Sequence, residues 1–195
     1  MARPKEFDPD LAVDQAMEVF WRKGYAATTP QDLVDALGIG KGSLYNTFGS
    51  KRGLFLRALR RYRDDQTVAL VAALDRSGPV RERLYEALLA LAAMDLADPD
   101  RRGCLAVNTA TALASTDPEA TDLVRRMLDL TEQALTALVE EGQRAGEIAG
   151  DRDAAALGSL LMNTVVGMRV VARVAESGAG AARLDRVIRG AVGAL

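Results

Sequence analysis

The sequence contains no histidine, a single cysteine and few aromatic residues. Without histidine the chain has no imidazole general base and no imidazole metal ligand, which excludes the commonest acid–base chemistry and His-ligated metal sites. One cysteine, Cys104, excludes a disulfide within the chain. Aromatic residues make up 5% of the sequence, and residues that favour strands are sparse. The chain is therefore a poor candidate for a β-sheet protein.

Long hydrophobic runs are also missing. The longest uncharged apolar run, from Ala87 to Met94, is far shorter than the roughly 20 residues of a membrane span. The opening MARPKEFDPDL has no apolar segment of the kind found in signal peptides. From these features we expect a cytoplasmic protein without a membrane partner.

Helix-forming residues dominate what is present. Hydrophobic residues make up 49% of the 195 residues, and they are mostly Ala, Leu and Val, with apolar spacing typical of helices throughout. The sequence predicts an all-α fold with helices over 9–23, from Thr28 or Thr29 to Gly38, 41–49, 51–74, 79–97, 101–115, 118–146, 152–177 and 181–194.

Local signals support the first of these helices. Gly24 and Gly38 are typical helix stops. Thr29 and Pro30 suit the N-cap and first position of helix two, and Asp32 lies at the third position of a capping-box-like arrangement. Leu33 and Leu37 are expected to point inward from that helix.

Charge is distributed unevenly. Residues 1–63 contain 11 Lys and Arg against 7 Asp and Glu, a net charge of +4, whereas the remainder carries −6. A basic N-terminal third on an acidic body indicates that only this third contacts a polyanion.

The stretch GIGKGSLYNTFGSK, residues 38–51, follows a helix and a tight glycine-containing turn. Two short helices joined in this way form a helix-turn-helix, whose second helix enters the DNA major groove. Leu44 and Phe48 are expected to hold that helix from inside. Its outer face then offers Gly42 for close backbone approach, Asn46 as an adenine reader, and Ser43, Tyr45 and Thr47 as hydrogen-bonding side chains.

These residues resemble the DNA-binding domain of TetR-type transcriptional repressors over residues 9–62. The resemblance lies in GYAATT at 24–29, LGI at 37–39 and KGSLY-x-x-F-x-SK at 41–51. It implies an N-terminal three-helix DNA-binding domain, residues 1–50, and a C-terminal helical ligand-binding and dimerisation domain, residues 51–195, with helix four shared at the junction. It also implies a homodimer that binds a palindromic double-stranded DNA operator and is released by a small molecule.

The family roles can be assigned to residues of this sequence. Phosphate contacts are expected from Thr29, Lys41, Gly42, Tyr45 and Lys51, and base contacts from Ser43, Asn46 and Thr47. The sequence departs from the family at Gly40, where a Ser or Thr usually caps helix three, and at Asn46-Thr47, where an aromatic–His pair is usual. The operator sequence therefore does not transfer from a relative.

In the C-terminal part, a pocket for a small apolar or aromatic ligand is expected to include Met94, Cys104, Asn108, Met127 and Met162. The alternative for each methionine is ordinary core packing. Cys104 follows two arginines, so it is either a reactive thiol or a small buried side chain. Trp21 is expected to prop the helix-turn-helix.

Apolar stripes on the last two helices suggest a dimer interface. The predicted interface residues are Leu157, Leu161, Val165, Met168, Leu184 and Ile188. The same stripes could instead pack within one chain, and the resemblance favours the interface.

The sequence is thus interpreted as a ligand-responsive transcriptional regulator without catalytic activity, cofactor or metal. One alternative is a regulator that senses electrophiles or redox state through Cys104. A second, a helical thiol-dependent enzyme, lacks a partner base for the cysteine.

Overall fold

The computed structural model describes residues 7–176 and 178–195. Over these residues the chain is helical, as predicted, without strands. The helices are α1 (Pro9–Lys23), α2 (Pro30–Leu37), α3 (Lys41–Phe48), α4 (Lys51–Leu74), α5 (Val80–Ala97), α6 (Leu105–Leu113), α7 (Pro118–Arg144), α8 (Ala154–Val174) and α9 (Ala179–Gly193). The first four match the sequence prediction to within about a residue.

The N-terminal ends of these helices are capped by side chains. Thr29 and Asp32 form a complete capping box at α2, each side chain bonding the other residue's backbone N–H. Ser50 accepts a bond from the N–H of Gly53 at the start of α4, and Asp117 accepts one from Ala120 at the start of α7. Such caps explain why the starts of these helices could be placed from sequence.

The predicted helix over 101–115 is wrong at its start, because α6 begins only at Leu105. The backbone of Arg101 and of Gly103 has positive φ, 50° and 63°, which is incompatible with a right-handed helix. The Asp98 carboxylate accepts bonds from the N–H groups of Asp100 and Arg102 and so stabilises a turn. Residues 98–104, which we call the α5–α6 loop, are therefore irregular.

Buried side chains form two clusters. The first contains the inner faces of α1, α2 and α3 with the first half of α4, and it extends to Cys104, the start of α6 and the first half of α7. The second joins the end of α4, through Leu74, to α5, α8, α9 and the second half of α7. Since α4 contributes to both clusters, it physically connects the N-terminal helices to the rest of the chain.

Helix α8 is apolar enough to merit separate mention. Its length and mean hydropathy of 1.5 would suit a membrane span, although the sequence has no long unbroken apolar run there. One side of α8 packs along α7, α5 and α9, with Leu161, Met168 and Ala172 buried. A helix packed on one side against three others passes the same test of length and composition, so these properties alone do not indicate a membrane span.

Gly158 marks the closest approach of α7 and α8 and permits a stability test. A Cβ at this position would lie about 3.0 Å from Thr136 Cβ and 3.1 Å from Thr136 Cα. We predict that Gly158→Ala lowers the free energy of unfolding by about 1–3 kcal/mol through overpacking. The control is Gly42→Ala in α3, where a Cβ meets no atom within 4 Å. Denaturant melts that rank the two variants equally would contradict this account.

Candidate nucleic-acid interface and ligand cavity

Helix α3 is held from one side and exposed on the other. Leu44 is fully buried and Phe48 nearly so, within the first cluster. Gly38, with φ 62°, gives α2 a left-handed end and lets the chain turn sharply into α3. This turn and these two anchors determine which face of α3 reaches solvent.

The exposed face contains most of the residues that the sequence assigned to DNA. Lys41, Gly42, Ser43, Tyr45 and Asn46 are exposed, and Thr47 is half-buried. Nothing lies within 4 Å of a Cβ built on Gly42, so the backbone there is accessible to a large partner. The face is small, polar and basic at its start, a composition that suits contacts with base edges and phosphates.

Thr29 has a structural role in addition to the one predicted. Its hydroxyl accepts a bond from the N–H of Asp32 and donates one to the Asp32 carboxylate, at 3.1 and 2.9 Å. Hydrogen bonds from Lys23 and Thr29 hold the pKa of Asp32 at about 2, so the carboxylate stays ionised. Thr29 remains exposed beside α3, at the start of a helix, where an anion is favoured.

Lys51 differs most from its predicted role. Its Nζ donates to the carbonyl oxygens of Tyr25 and Thr28, at 2.9 and 2.8 Å, and lies 4.3 Å from the centre of the Tyr25 ring. Lys51 therefore holds the α1–α2 loop against the start of α4. Two of its three N–H donors are used within the chain, which leaves one for the predicted phosphate contact.

The basic N-terminal third is also less free than its charge count suggests. Arg52 and Arg60 pair with Glu119, Arg52 also binds Asp117 at 2.7 Å, and Arg61 pairs with Asp14. The Arg52 hydrogen bond holds the pKa of Asp117 at about 2.

Arg57 is exposed, with its guanidinium 5.3 Å from the Phe48 ring centre at the end of α3. It is a candidate phosphate contact that the sequence argument missed. Residues 3 and 5, two further basic positions, lie outside the described residues.

A cavity of about 250 Å³ opens between α4 and α5 and extends toward α7 and α8. Its walls are mostly Leu, Ala, Val and Met side chains, as is typical of small-molecule sites. Of the residues predicted for a ligand pocket, Met94 and Met127 line this cavity. The full lining is Gln66, Ala69, Leu70, Ala73, Leu74, Leu84, Ala87, Leu88, Ala90, Leu91, Met94, Met127, Thr131, Leu135, Val165 and Arg169.

The other residues predicted for the pocket lie elsewhere. Cys104 is 5% exposed and accepts a bond from the Tyr62 hydroxyl. Asn108 donates to the Arg102 carbonyl and accepts from Arg173. Met162 packs against the second cluster. Apolar composition and helical spacing alone could not separate a cavity wall from the solid core.

A polar network behind the cavity was not predicted. Arg169 makes a two-pronged ion pair with Asp95, at 2.8 and 2.9 Å, and both side chains are 5% exposed. Arg169 Nη1 and Nη2 lie 3.4 Å from Tyr62 Oη and 3.5 Å from the Gly103 carbonyl. Burial raises the pKa of Tyr62 well above its usual range, so its hydroxyl stays protonated.

The Gly103 carbonyl also accepts a bond from Trp21 Nε1 at 2.9 Å. The Arg102 guanidinium lies 4.3 Å from the Trp21 ring centre and pairs with Glu18. The α5–α6 loop thus contacts α1 on one side and α8 on the other. Trp21 props α1 against this loop.

The predicted dimer residues require a correction. Leu157, Leu161, Met168, Leu184 and Ile188 are all buried within one chain, and Val165 lines the cavity. Their apolar stripes pack inward, which was the alternative reading of the pattern. These side chains are not available to a second copy while the chain keeps this fold.

A different apolar face of the same two helices is exposed. It repeats along α8 at Leu160, Gly167 and Val174, with Val170 and Asn163 between them, and continues on α9 at Val187 and Gly190. Val174 is 81% exposed. The α8 positions recur at intervals of three and four residues and therefore lie on one side of that helix, and an exposed, mostly apolar face of this kind is a candidate interaction surface.

Comparisons with known proteins agree with this architecture. Residues 12–58 match the family described as "Bacterial regulatory proteins, tetR family", and residues 82–188 match "Tetracyclin repressor-like, C-terminal domain". The chain is 34% identical over 176 residues to the uncharacterised HTH-type transcriptional regulator YezE of Bacillus subtilis, covering 89% of this chain and 90% of that protein. The chain belongs to the TetR family. It is accordingly a DNA-binding transcriptional regulator and not an enzyme.

Two further TetR-family relatives are informative. The chain is 32% identical over 176 residues to the transcriptional repressor ComR of Escherichia coli, covering 90% of this chain and 84% of that protein. A cysteine mutant of the regulator CifR, solved with a 26-bp double-strand operator DNA, superposes with a TM-score of 0.83 at 31% identity. That match covers 98% of this chain and 99% of CifR.

Lys51 gives this TetR-family protein a test that separates structure from DNA contact. We predict that Lys51→Met lowers the free energy of unfolding by about 1–2 kcal/mol, because two carbonyls lose a charged donor. Lys41→Met removes an exposed cation with no partner among the described residues. It should leave stability unchanged and reduce the salt dependence of DNA binding by about one unit of slope.

Thermal unfolding and operator titrations at several salt concentrations measure both effects. An unchanged melting temperature for Lys51→Met, together with a smaller salt slope, would assign Lys51 to phosphate and refute the structural role.

Proposed function

We propose that the protein is a repressor that binds a palindromic operator as a homodimer and leaves it when a small apolar ligand enters the cavity. Residues 1–50 act as the DNA-binding domain and residues 51–195 as the ligand-binding and dimerisation domain, with α4 shared. DNA binding of this kind takes place in the cytoplasm.

The exposed face of α3 carries the DNA part of the proposal. Lys41, Gly42 and Tyr45 are positioned for phosphates, and Ser43, Asn46 and Thr47 for base edges. Asn46 suits adenine, whose N6 and N7 can bond both atoms of an amide. A relative named as a repressor and a relative solved with operator DNA support the same assignment.

An operator experiment tests this assignment. The wild-type site is selected from a random duplex library, and each base pair is then varied. We expect Tyr45→Ala to weaken binding to all variants alike, because phosphate contacts do not read sequence. Asn46→Ala should lose about 1–3 kcal/mol of discrimination at one position in each half-site.

Gln133→Ala, an exposed amide on α7, serves as the matched control and should bind as the wild type does. Failure of the wild-type protein to enrich any sequence would overturn the DNA proposal. If Asn46→Ala weakens every variant equally, Asn46 does not read a base.

The exposed face of α8 and α9 supports the homodimer. A palindromic operator requires two recognition helices about 34–36 Å apart, and one chain supplies one such helix. Gly167 and Gly190 lie on this face and allow close approach of helix backbones, and a two-fold axis would pair the face with its own copy. In this proposal the exposed face of α8 and α9 forms the dimer interface, in place of the buried residues that the sequence suggested.

Val170, on this face of α8, offers a test of assembly. We predict that Val170→Glu gives a folded monomer at micromolar concentration, because the variant would bury an unpaired carboxylate at the contact. The control is Val68→Glu on α4, at a site 71% exposed, which should remain dimeric. Leu161→Glu, in contrast, should unfold the chain.

Light scattering gives the molar mass and circular dichroism checks the fold. A monomeric wild type would refute the dimer, and a dimeric Val170→Glu would refute this face as its interface.

Two contiguous structures support ligand-controlled release. Helix α4 carries cavity residues Gln66 and Leu70 and begins at the helix-turn-helix. The α5–α6 loop joins cavity residue Arg169 to α1 through the Gly103 carbonyl. A ligand releases DNA only if it binds the DNA-incompetent arrangement better, and a hundredfold loss of DNA affinity requires about 2.7 kcal/mol of such coupling.

The thiol-sensing alternative has less support. Cys104 is buried beneath Tyr62 and is separate from the cavity lining. Reactive cysteines are generally partly exposed in an electropositive setting. No contact of Cys104 favours release by covalent modification of this thiol over release by a reversibly bound ligand.

A further inference from the structure

The polar groups of the cavity are few, and the charged one is buried. At the mouth, Ala69, Ala90 and Met94 are exposed. At the inner end, Leu84, Leu135 and Arg169 are buried. Gln66, Thr131 and Arg169 are the polar residues of the lining. A ligand in the cavity is therefore surrounded by apolar atoms except near these three side chains.

The one charge in the lining is already neutralised. Both carboxylate oxygens of Asp95 bind Arg169, at 2.8 and 2.9 Å, so the pair as a whole is neutral. An anionic ligand would add a buried charge without a free cation, and a cationic ligand would find both Asp95 oxygens occupied. Burial of an unpaired ion costs several kcal/mol. The buried end of the cavity therefore offers no free counter-ion to a ligand of either sign.

Hydrogen-bond donors nevertheless remain at the inner end. Arg169 Nη1 has two long contacts, 3.4 Å to Tyr62 Oη and 3.4 Å to Gln66 Oε1, beyond the usual 2.9–3.0 Å. The Gln66 amide nitrogen has no acceptor among the described residues. The Thr131 hydroxyl, in contrast, is engaged with the Met127 carbonyl at 3.0 Å. The weakly bonded Arg169 Nη1 and the Gln66 amide nitrogen are both donors, so they match an acceptor on the ligand.

We propose that the cavity binds an uncharged, largely apolar molecule with one oxygen acceptor, which Gln66 and Arg169 hold at the buried end. A ketone, an ester or an alcohol fits this description, whereas a fatty acid and an alkylamine do not. A cavity of about 250 Å³ suits a compact ligand. This inference rests on the proposed ligand-release function and specifies its ligand class.

Three eight-carbon probes differ only in the polar end: 2-octanone, octanoate and octylammonium. Neither the ketone nor the ions alkylate a thiol, so Cys104 does not enter the result. We expect titration calorimetry at pH 7 to show that the full-length protein binds 2-octanone at least tenfold more tightly than either ion. Equal or tighter binding of octanoate, or no binding of 2-octanone up to its solubility, overturns the proposal.

Gln66→Met keeps the length of the side chain and removes its donors. It should weaken 2-octanone binding about fivefold, the equivalent of one neutral hydrogen bond of about 1 kcal/mol. The control, Gln133→Met, makes the same change on the exposed side of α7 and should have no effect. Unchanged 2-octanone affinity in Gln66→Met, with an unchanged melting temperature, overturns the role of Gln66.

Operator binding is measured on the same samples by mobility shift. A protein that binds its operator but does not prefer 2-octanone refutes the ligand class and leaves the repressor intact. A protein that binds 2-octanone but enriches no DNA sequence refutes the proposed function instead. If both the proposed function and the ligand class hold, 2-octanone also releases the operator DNA.

Discussion

The buried ion pair between Arg169 and Asp95 is the interaction on which the rest of the C-terminal structure depends. Each side chain is 5% exposed, so neither charge can be hydrated, and loss of one partner would leave the other unpaired at a cost of about 3–5 kcal/mol. The pair joins α5 to α8, and the remaining Arg169 donors reach Tyr62 of α4 and the Gly103 carbonyl. One guanidinium thus lies where a cavity wall, the α5–α6 loop and the middle of α4 meet. A hydrophobic pair could fill the same space but could not hold a backbone carbonyl in place.

Much of the fold could be predicted from sequence because its signals are local. The capping box at Thr29, the glycine at position 38 and the proline at position 118 act within one helical turn, and the corresponding helix ends agree with the structure. The α5–α6 loop was wrongly predicted as helix because the contacts that shape it are distant in sequence. The positive φ of Arg101 is accompanied by bonds from its guanidinium to the carbonyls of Ala172 and Ala175, more than 70 positions away. No pattern near Arg101 indicates that partner.

The candidate site shows the same division. The exposed face of α3 could be predicted, because Leu44 and Phe48 fix it by their spacing. The role of Lys51 could not, because its acceptors are backbone carbonyls of a loop that any sequence could supply. On α8, apolar residues occur on nearly every side, so periodicity alone did not distinguish Leu161 in the core from Leu160 on the surface. Charge counting overestimated the free positive charge for a related reason. Arg52 and Arg60 pair with acids that lie more than 50 positions away.

The same network offers the proposed ligand response a physical path from the cavity to the DNA-binding helices. Gly103 lies in a backbone conformation that favours glycine, and a Cβ there would collide with the Arg173 side chain, so α8 packs closely against the loop at this point. Its carbonyl faces Arg169 on one side and Trp21 on the other. A tightly packed element between two rigid helices transmits a displacement instead of absorbing it. A ligand acceptor that draws Arg169 Nη1 toward the cavity would therefore shift the packing of α1 through the Gly103 carbonyl. Helix α4, which Arg169 contacts at Tyr62, would carry the same displacement to the helix-turn-helix at its start. Under the proposed function, both routes begin at Arg169, so a ligand that binds beside this arginine and favours the DNA-incompetent arrangement acts on the recognition unit through α1 and through α4.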